Sequence, residues 1–193
     1  MKTRSALGFT LIELMVTITM ISIVLMLGVP SFQSSIRNSV LTASINEFIA
    51  ALNFARGEAI KRGVNVTVRR TSAPCPSTSS SVGYEGGWQV FTDVNGHGCN
   101  DSSSDQVLRT HASLNTGFTL WGNNSVVNYI SYQPDGTSQN YGSFALCDAT
   151  QTLTTSTARV ITVNTLGRIT LATDTNGNGI LTYSSGAGSC AIP

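Results

Sequence analysis

The sequence predicts an α+β fold in which one long N-terminal helix packs on an antiparallel β-sheet domain. Three observations support this prediction: an apolar run opens the chain, an amphipathic segment continues it, and short β-branched segments separated by turn-forming residues fill the remainder. An amphipathic helix buries its apolar side, and a sheet with one apolar face is the natural surface to cover it. With 193 residues, the chain has room for about one ordinary domain besides such a helix.

The run Phe9–Val29 is apolar except for Glu13 and a few hydroxyl side chains. As a helix it would be about 31 Å long, which is enough to cross a bilayer. Lys2 and Arg4 precede it, so we expect a cytoplasmic N-terminus and export of everything after Pro30. The expected organisation is a leader, a single-pass membrane anchor, and a periplasmic or extracellular domain: residues 1–8, 9–30 and 31–193.

A single acid inside the apolar run needs an explanation, because a carboxylate in hydrocarbon costs about 2.5 to 3.5 kcal/mol even on insertion scales. Cleavage between Gly8 and Phe9 would create an α-amino group four residues before Glu13, on the same helix face, where it can neutralise that charge. An ordinary secretory signal would instead need a small-x-small site after the run, and none stands near Leu27 to Ser35. A plain, uncut anchor is the other alternative.

Beyond Ser31 the helix is predicted to continue as an amphipathic stripe that Gly63 ends. The apolar side of the stripe consists of Leu41, Ile45, Phe48, Ile49, Leu52, Ala55 and Ile60. The predicted strands are Val64–Arg70, Gly87–Thr92, Gln106–Thr110, Gly117–Trp121, Val126–Tyr132, Ser143–Cys147, Arg159–Val163, Arg168–Ala172 and Ile180–Tyr183. The stretch from Thr71 to Val82 is predicted to be a long loop.

The four cysteines contain no CxxC pair, so neither a zinc knuckle nor a redox dithiol is indicated. In an exported domain they are expected to form disulfides. Three pairings are possible, and we favour Cys75 with Cys99 and Cys147 with Cys190, since each closes an excursion rich in Gly, Ser and Asn. Four free thiols in a reducing compartment are the alternative.

Catalysis would need a nucleophile with its base, paired carboxylates or a phosphate-binding loop, and the sequence contains none of these patterns. We therefore expect no enzyme and no cofactor, with His97 and His111 as surface or structural residues. The segment with Asp174, Asn176 and Asn178 matches the first half of a calcium loop. Its twelfth position is Ser185, so a glycine turn is favoured over a Ca²⁺ site. The loop that begins at Asp93 has the same defect.

The segment Gly8-Phe9-Thr10-Leu11-Ile12-Glu13-Leu14 resembles the processing site of type IV prepilins and pseudopilins. The resemblance implies cleavage after Gly8 by prepilin peptidase, N-methylation of Phe9, and packing of apolar helices into a filament core. It also implies that Glu13 neutralises a neighbouring subunit's amino terminus during assembly. Pro30 falls where many pilins kink or locally unwind the helix.

Three further segments resemble the minor pilins of the GspH/FimT group: Phe54 to Gly63, Gly87 to Asp93, and Val163 to Arg168. The resemblance implies a structural subunit that primes or caps a type IV pilus. A minor pseudopilin of a type II secretion system is an alternative. The partners it implies are other pilin or pseudopilin subunits, prepilin peptidase and the inner membrane.

Some pilins of this group bind DNA during natural transformation through a Gly-Arg-x-Arg motif. Here only Gly167 and Arg168 match it, because Thr170 stands where the second arginine belongs. A separate basic cluster around the helix end could also meet a phosphate backbone: Arg56, Lys61, Arg62, Arg69 and Arg70. The DNA hypothesis requires Arg168 and this cluster to share one exposed face, and a solvated, salt-bridged surface is the alternative.

Processing predicts Phe9 as the mature N-terminus, because only that cleavage places an amine about one helical turn before Glu13. Mass spectrometry of the membrane-extracted protein measures this. An intact Met1, or a chain that starts after Val29, would contradict the prediction.

Overall fold

The computed structural model describes residues 8–73, 75, 82–115, 117–150, 152–174, 179, 181 and 190, with only the backbone for residues 27–31 and 124. The chain divides into two compact units, Met1–Ser39 and Val40–Pro193. Helix α1, Leu11–Arg62, contributes residues to both units. Within the described part of the chain, no helix combines the length and the hydropathy that crossing a membrane requires.

Both ends of α1 follow from local sequence. At the N-terminus, the Thr10 hydroxyl accepts a hydrogen bond from the Glu13 N–H at 3.3 Å, and the Thr10 carbonyl accepts one from Leu14 at 3.2 Å. At the C-terminus, Gly63 adopts a φ of 70° and its N–H donates to the Ala59 carbonyl at 2.9 Å. Glycine tolerates this left-handed conformation, so the predicted helix end at Gly63 is confirmed.

Among its described residues, the second unit contains two four-stranded antiparallel sheets, where the sequence had predicted one. The strands are β1 Val66–Arg70, β2 Trp88–Thr92, β3 Val107–His111, β4 Thr119–Gly122, β5 Tyr129–Tyr132, β6 Gly142–Cys147, β7 Ala158–Val163 and β8 Ile169–Leu171. The first sheet has the order β3-β2-β1-β5 and the second β4-β6-β7-β8. The ninth predicted strand, Ile180–Tyr183, lies outside the described residues apart from Leu181, which is not in a strand.

The C-terminal part of α1 forms the centre of the core. Phe48 contacts three aromatic rings edge to face, with centroid distances of 5.3 Å to Tyr84, 5.1 Å to Trp88 and 4.9 Å to Phe144. Because Trp88 belongs to the first sheet and Phe144 to the second, one helical side chain touches both sheets. Each aromatic pair adds about 0.5 to 1.5 kcal/mol beyond its buried area.

One predicted core residue is wrong. Ile60 is 54% exposed, whereas Ala59 is fully buried. The buried positions follow a helical repeat of three and four residues: Leu41, Ile45, Phe48, Leu52, Ala55 and Ala59. Ile60 comes one residue after the last position of this repeat, so it leaves the buried face.

Both predicted disulfides are present. Cys75 pairs with Cys99 and Cys147 with Cys190, with Cα–Cα distances of 5.8 and 6.0 Å. Cys147 and Cys190 belong to a second, smaller apolar cluster with Leu153, Val160 and Leu181. This disulfide therefore attaches residue 190 near the C-terminus to β6.

Phe48→Ala is expected to destabilise a fragment of residues 31–193 by about 3 to 5 kcal/mol, because it leaves a cavity between the two sheets. Urea denaturation followed by tryptophan fluorescence measures the change in the free energy of unfolding. Phe32→Ala is the matched control, since Phe32 is 70% exposed and its removal should cost under about 0.5 kcal/mol. Equal effects of the two substitutions would contradict the central role of Phe48.

Candidate functional site

Phe9 and the N-terminal part of α1 present apolar side chains to their surroundings on every side. Phe9 is 84% exposed and Met26 80%, and the large apolar residues between them are all at least 45% exposed. These residues are Leu11, Ile12, Leu14, Met15, Val16, Ile18, Met20, Ile21, Ile23, Val24 and Leu25. A helix that is apolar all round needs another apolar medium or another chain to cover it.

The hydroxyl groups of this segment are satisfied within the helix. Thr17 donates to the Leu14 carbonyl at 2.8 Å, Thr19 to Val16 at 2.8 Å, and Ser22 to Ile18 at 2.7 Å. These bonds lower the cost of placing the hydroxyls in an apolar environment. None of the described residues forms an ion pair with Glu13, which lies exposed in the first helical turn.

The predicted processing site lies just before the helix. Gly8 and Phe9 are exposed and non-helical, and α1 begins at Leu11. The sequence argument had placed Phe9 inside the helix, so the first turn starts two residues later than expected. Helix α1 continues through Pro30 without a break.

Arg69 and Arg70 are not available to a phosphate backbone, which corrects the predicted basic cluster. They are 7% and 1% exposed, because loop segments cover Arg69 and a loop and the Trp121 ring cover Arg70. Arg69 donates to the Ala73 carbonyl at 3.2 Å and to the Gly98 carbonyl at 3.0 Å. Burial lowers the pKa of both guanidinium groups, but arginine stays protonated at physiological pH.

Arg70 faces a different set of groups. It donates to the Val82 carbonyl at 2.9 Å and to the Asn128 side-chain oxygen. Its guanidinium carbon lies 5.4 Å from the centroid of the Trp121 ring, a cation–π contact. Both arginines therefore hold loops and rings of the domain.

Lys61 and Arg62 are exposed but share one acid. Arg62 Nε donates to the Glu58 carboxylate, and its Nη1 lies 3.2 Å from Gln106 Oε1. Lys61 Nζ lies 3.6 Å from Glu58. The hydrogen bond from Arg62 lowers the pKa of Glu58. This is the salt-bridged surface that the sequence analysis had kept as an alternative.

Arg56 has a structural role that the sequence analysis missed. Its Nε donates to the Gly136 carbonyl at 2.8 Å and its Nη2 to the Leu166 carbonyl at 3.2 Å. The Gly136 carbonyl lies in the turn that follows β5 of the first sheet. The Leu166 carbonyl lies in the turn between β7 and β8 of the second sheet. One helical side chain thus ties both sheets to α1.

The same junction explains Gly167. This residue has a φ of 70°, and a Cβ there would lie 2.4 Å from the Gly136 carbonyl oxygen. No residue other than glycine fits without displacing the turn. Arg168, the next residue, is exposed, and its backbone N–H donates to Asn164 Oδ1 at 2.9 Å. Of the two residues matched to the DNA motif, only Arg168 is available to a ligand.

The acidic loops show turn chemistry. Both carboxylate oxygens of buried Asp93 accept hydrogen bonds, from Thr67 and Gly98 at 2.7 and 2.8 Å and from the His97 N–H at 3.1 Å. Asp174 accepts from the Gly179 N–H at 2.6 Å, while Asn176 and Asn178 lie outside the described residues. Among the residues that are described, no group of three acids, histidines or cysteines could hold a metal ion.

His111 packs as a structural residue. Its ring stacks on Trp88 at a centroid distance of 3.9 Å and an angle of 4°. Its Nε2 lies 3.1 Å from Glu47 and its Nδ1 2.6 Å from the Ala112 carbonyl. These contacts fasten edge strand β3 to α1 and β2.

Two family models match the chain. The model described as Type II transport protein GspH matches residues 44–167, and the prokaryotic N-terminal methylation motif matches residues 3–29. The methylation motif implies a membrane-anchored pilin with a periplasmic globular domain. No curated protein matches the sequence.

Solved structures support the fold. Two crystal forms of the type IV minor pilin FimU of Pseudomonas aeruginosa superpose with TM-scores of 0.52 and 0.51, at 20% and 21% identity. They cover 68% of this chain, and 87% and 91% of their own chains. The minor pseudopilin EpsH of Vibrio cholerae covers 68% of this chain and 94% of its own, with a TM-score of 0.47 at 14% identity.

The GspH match spans well over half of the sequence. The methylation motif lies before it, at the start of the chain, where the exposed apolar part of the helix begins. The chain therefore belongs to the GspH family of minor pilins and pseudopilins, which are structural subunits.

Proposed function

We propose that this chain is a minor type IV pilin, a structural subunit that primes or caps pilus assembly. The observation that carries the proposal is the exposed apolar surface of residues 9–26, which contains a single acid, Glu13. The same helix, α1, continues into the second unit and forms part of its core. A surface of this kind gains by burial against the same helix of neighbouring subunits, at about 25 cal/mol per Å² of apolar area.

Processing creates a positively charged α-amino group, which can neutralise the Glu13 carboxylate when the apolar surface is buried. Prepilin peptidase cuts between Gly8 and Phe9, and the new N-terminus of Phe9 is methylated. The exposed, non-helical backbone of both residues supports this step, because a peptidase requires an accessible, extended substrate. The amine then lies within reach of a Glu13 carboxylate, either its own or that of a neighbouring subunit, and the pair lowers the cost of burying either charge.

Before assembly the subunit resides in the inner membrane as a single-pass protein with its N-terminus in the cytoplasm. The apolar run of the sequence and the preceding Lys2 and Arg4 support this orientation. The two disulfides support an oxidising compartment for the second unit. Protease accessibility of spheroplasts tests the orientation, since only the periplasmic domain should be cut.

A minor pseudopilin of type II secretion is a second candidate, because the matching family model carries that description. Deletion of the gene separates the two machines. Loss of surface pili with normal secretion of exoproteins supports the pilus, and the reverse phenotype supports secretion. The genes that flank this one provide an independent criterion.

The assembly role predicts that Glu13→Ala inserts into the membrane normally but is recovered in sheared filaments at less than about a tenth of the wild-type amount, because an unpaired amine is then buried. Quantitative immunoblotting of membrane and filament fractions measures both. Thr17→Ala is the control, since Thr17 bonds only within its own helix among the described residues. Wild-type recovery of Glu13→Ala would remove the role given to the carboxylate.

DNA capture would rest on Lys61, Arg62 and Arg168, since Arg69 and Arg70 are buried. Three phosphate contacts give a slope of log affinity against log salt of about −2.7, and the four expected from sequence about −3.6. Titration of a fragment of residues 31–193 with duplex DNA measures the slope. Arg168→Ala should weaken binding and Thr170→Arg should tighten it. No binding at low salt, with no gain from Thr170→Arg, would exclude DNA as a partner.

A further inference from the structure

The turn between β7 and β8, residues 164–168, is fixed by hydrogen bonds from two other segments as well as by its own. Its own hydrogen bond runs from the Gly167 N–H to the Asn164 carbonyl at 2.9 Å. Arg56 holds the Leu166 carbonyl from α1, and the Ser138 N–H donates to the Thr165 carbonyl at 3.0 Å from the neighbouring turn. The turn is thus fixed from two directions, so its exposed side chains are preorganised.

One of the exposed side chains of this turn is apolar. Leu166 is 58% exposed at a turn position that usually carries Gly, Asn, Asp or Ser. Ile60, 54% exposed, lies beside the same junction, with its Cδ1 2.9 Å from where a Cβ of Gly136 would stand. Two large aliphatic residues that contribute little to the core therefore border one rigid junction. We call Ile60 and Leu166, with Lys61 and Arg168, the junction patch.

The charges around the patch are mainly positive. Arg168 comes two residues after Leu166 and Lys61 one residue after Ile60, and both are exposed. The Arg56 guanidinium donates to the Gly136 and Leu166 carbonyl oxygens of the same junction. Asp135 is exposed nearby, and Glu58 is already shared by Lys61 and Arg62. A symmetric contact of two such patches would place like charges together, so the surface that complements the patch is acidic and is not a second copy of the patch.

We propose that the junction patch docks a different pilin-class subunit, whose contact surface is an apolar recess edged by carboxylates. The proposal rests on the assembly function proposed above. Leu166 and Ile60 fill the recess, while Lys61 and Arg168 pair with the acidic edge and exclude water around it. Duplex DNA would bind the two cations but gain nothing from the aliphatic side chains. A substitution of Leu166 should therefore weaken binding of a pilin subunit and leave binding of DNA unchanged.

Photo-crosslinking of the full-length protein in piliated cells identifies the occupant. A benzophenone amino acid replaces Leu166 in one strain and Tyr141, which is 56% exposed, in the control strain. The expected result is an adduct at position 166 alone, with a peptide from another protein that carries a prepilin leader and with Asp or Glu near the linked residue. An adduct with a second copy of this chain, with DNA, or equally at both positions would overturn the proposal.

Substitutions measure how much the contact contributes. Leu166→Ser should lower recovery in sheared filaments by about thirtyfold, which corresponds to a hot-spot residue of about 2 kcal/mol. Leu171→Ser, at 54% exposure, is the matched control and should be recovered normally. If wild-type protein is absent from filaments, the assembly function itself fails. If wild-type and Leu166→Ser are recovered equally, the docking proposal alone fails.

Discussion

The packing of one helix against two sheets is the constraint on which the second unit depends. Phe48 touches an aromatic ring in each sheet, and Arg56, two turns later, binds a turn from each. The small residues Ala51, Ala55 and Ala59 are buried on the same side of α1. Without this helix, neither sheet would have a complete apolar cover, and the turns at residues 136 and 166 would lose a common donor.

This arrangement gives α1 two physically different halves. Residues 41–59 bury a repeating apolar face inside their own domain, whereas residues 9–26 expose apolar side chains all round. The exposed half cannot be satisfied by the domain's own core, so it needs lipid or other helices. The assembly function proposed above would supply such a cover.

The sequence alone predicted the local features well. The helix end at Gly63 and eight of the strands follow from turn chemistry and β-branched runs, which are local signals. The disulfide pairing was also correct, because each pair closes a single excursion of the chain. The split into two sheets was missed, since strand order depends on contacts between distant segments that periodicity does not report.

The errors at the candidate site have one cause. Arg69 and Arg70 look like surface cations in the sequence, but β1 is an inner strand and both side chains are buried among carbonyl oxygens and rings. Arg56 was grouped with the cations that could meet a phosphate backbone, whereas it binds a carbonyl in each of two turns. Residue type predicts charge but not burial, and burial here is decided by contacts with segments that are distant in the sequence, at Gly98 for Arg69 and at Val82 and Trp121 for Arg70. Ile60 shows the opposite error, because an apolar residue one position beyond the repeat becomes exposed.

We expect the N-terminal part of α1 to be covered by neighbouring subunits in assembled filaments, and the reactivity of single cysteines tests this most directly. Ile18 and Leu171 are each 54% exposed in the isolated chain, so Ile18→Cys and Leu171→Cys start as equals. In purified filaments, a water-soluble maleimide should label Leu171→Cys and leave Ile18→Cys unmodified, because only the first remains in water. Equal labelling of both cysteines in filaments would contradict an assembly role for the helix.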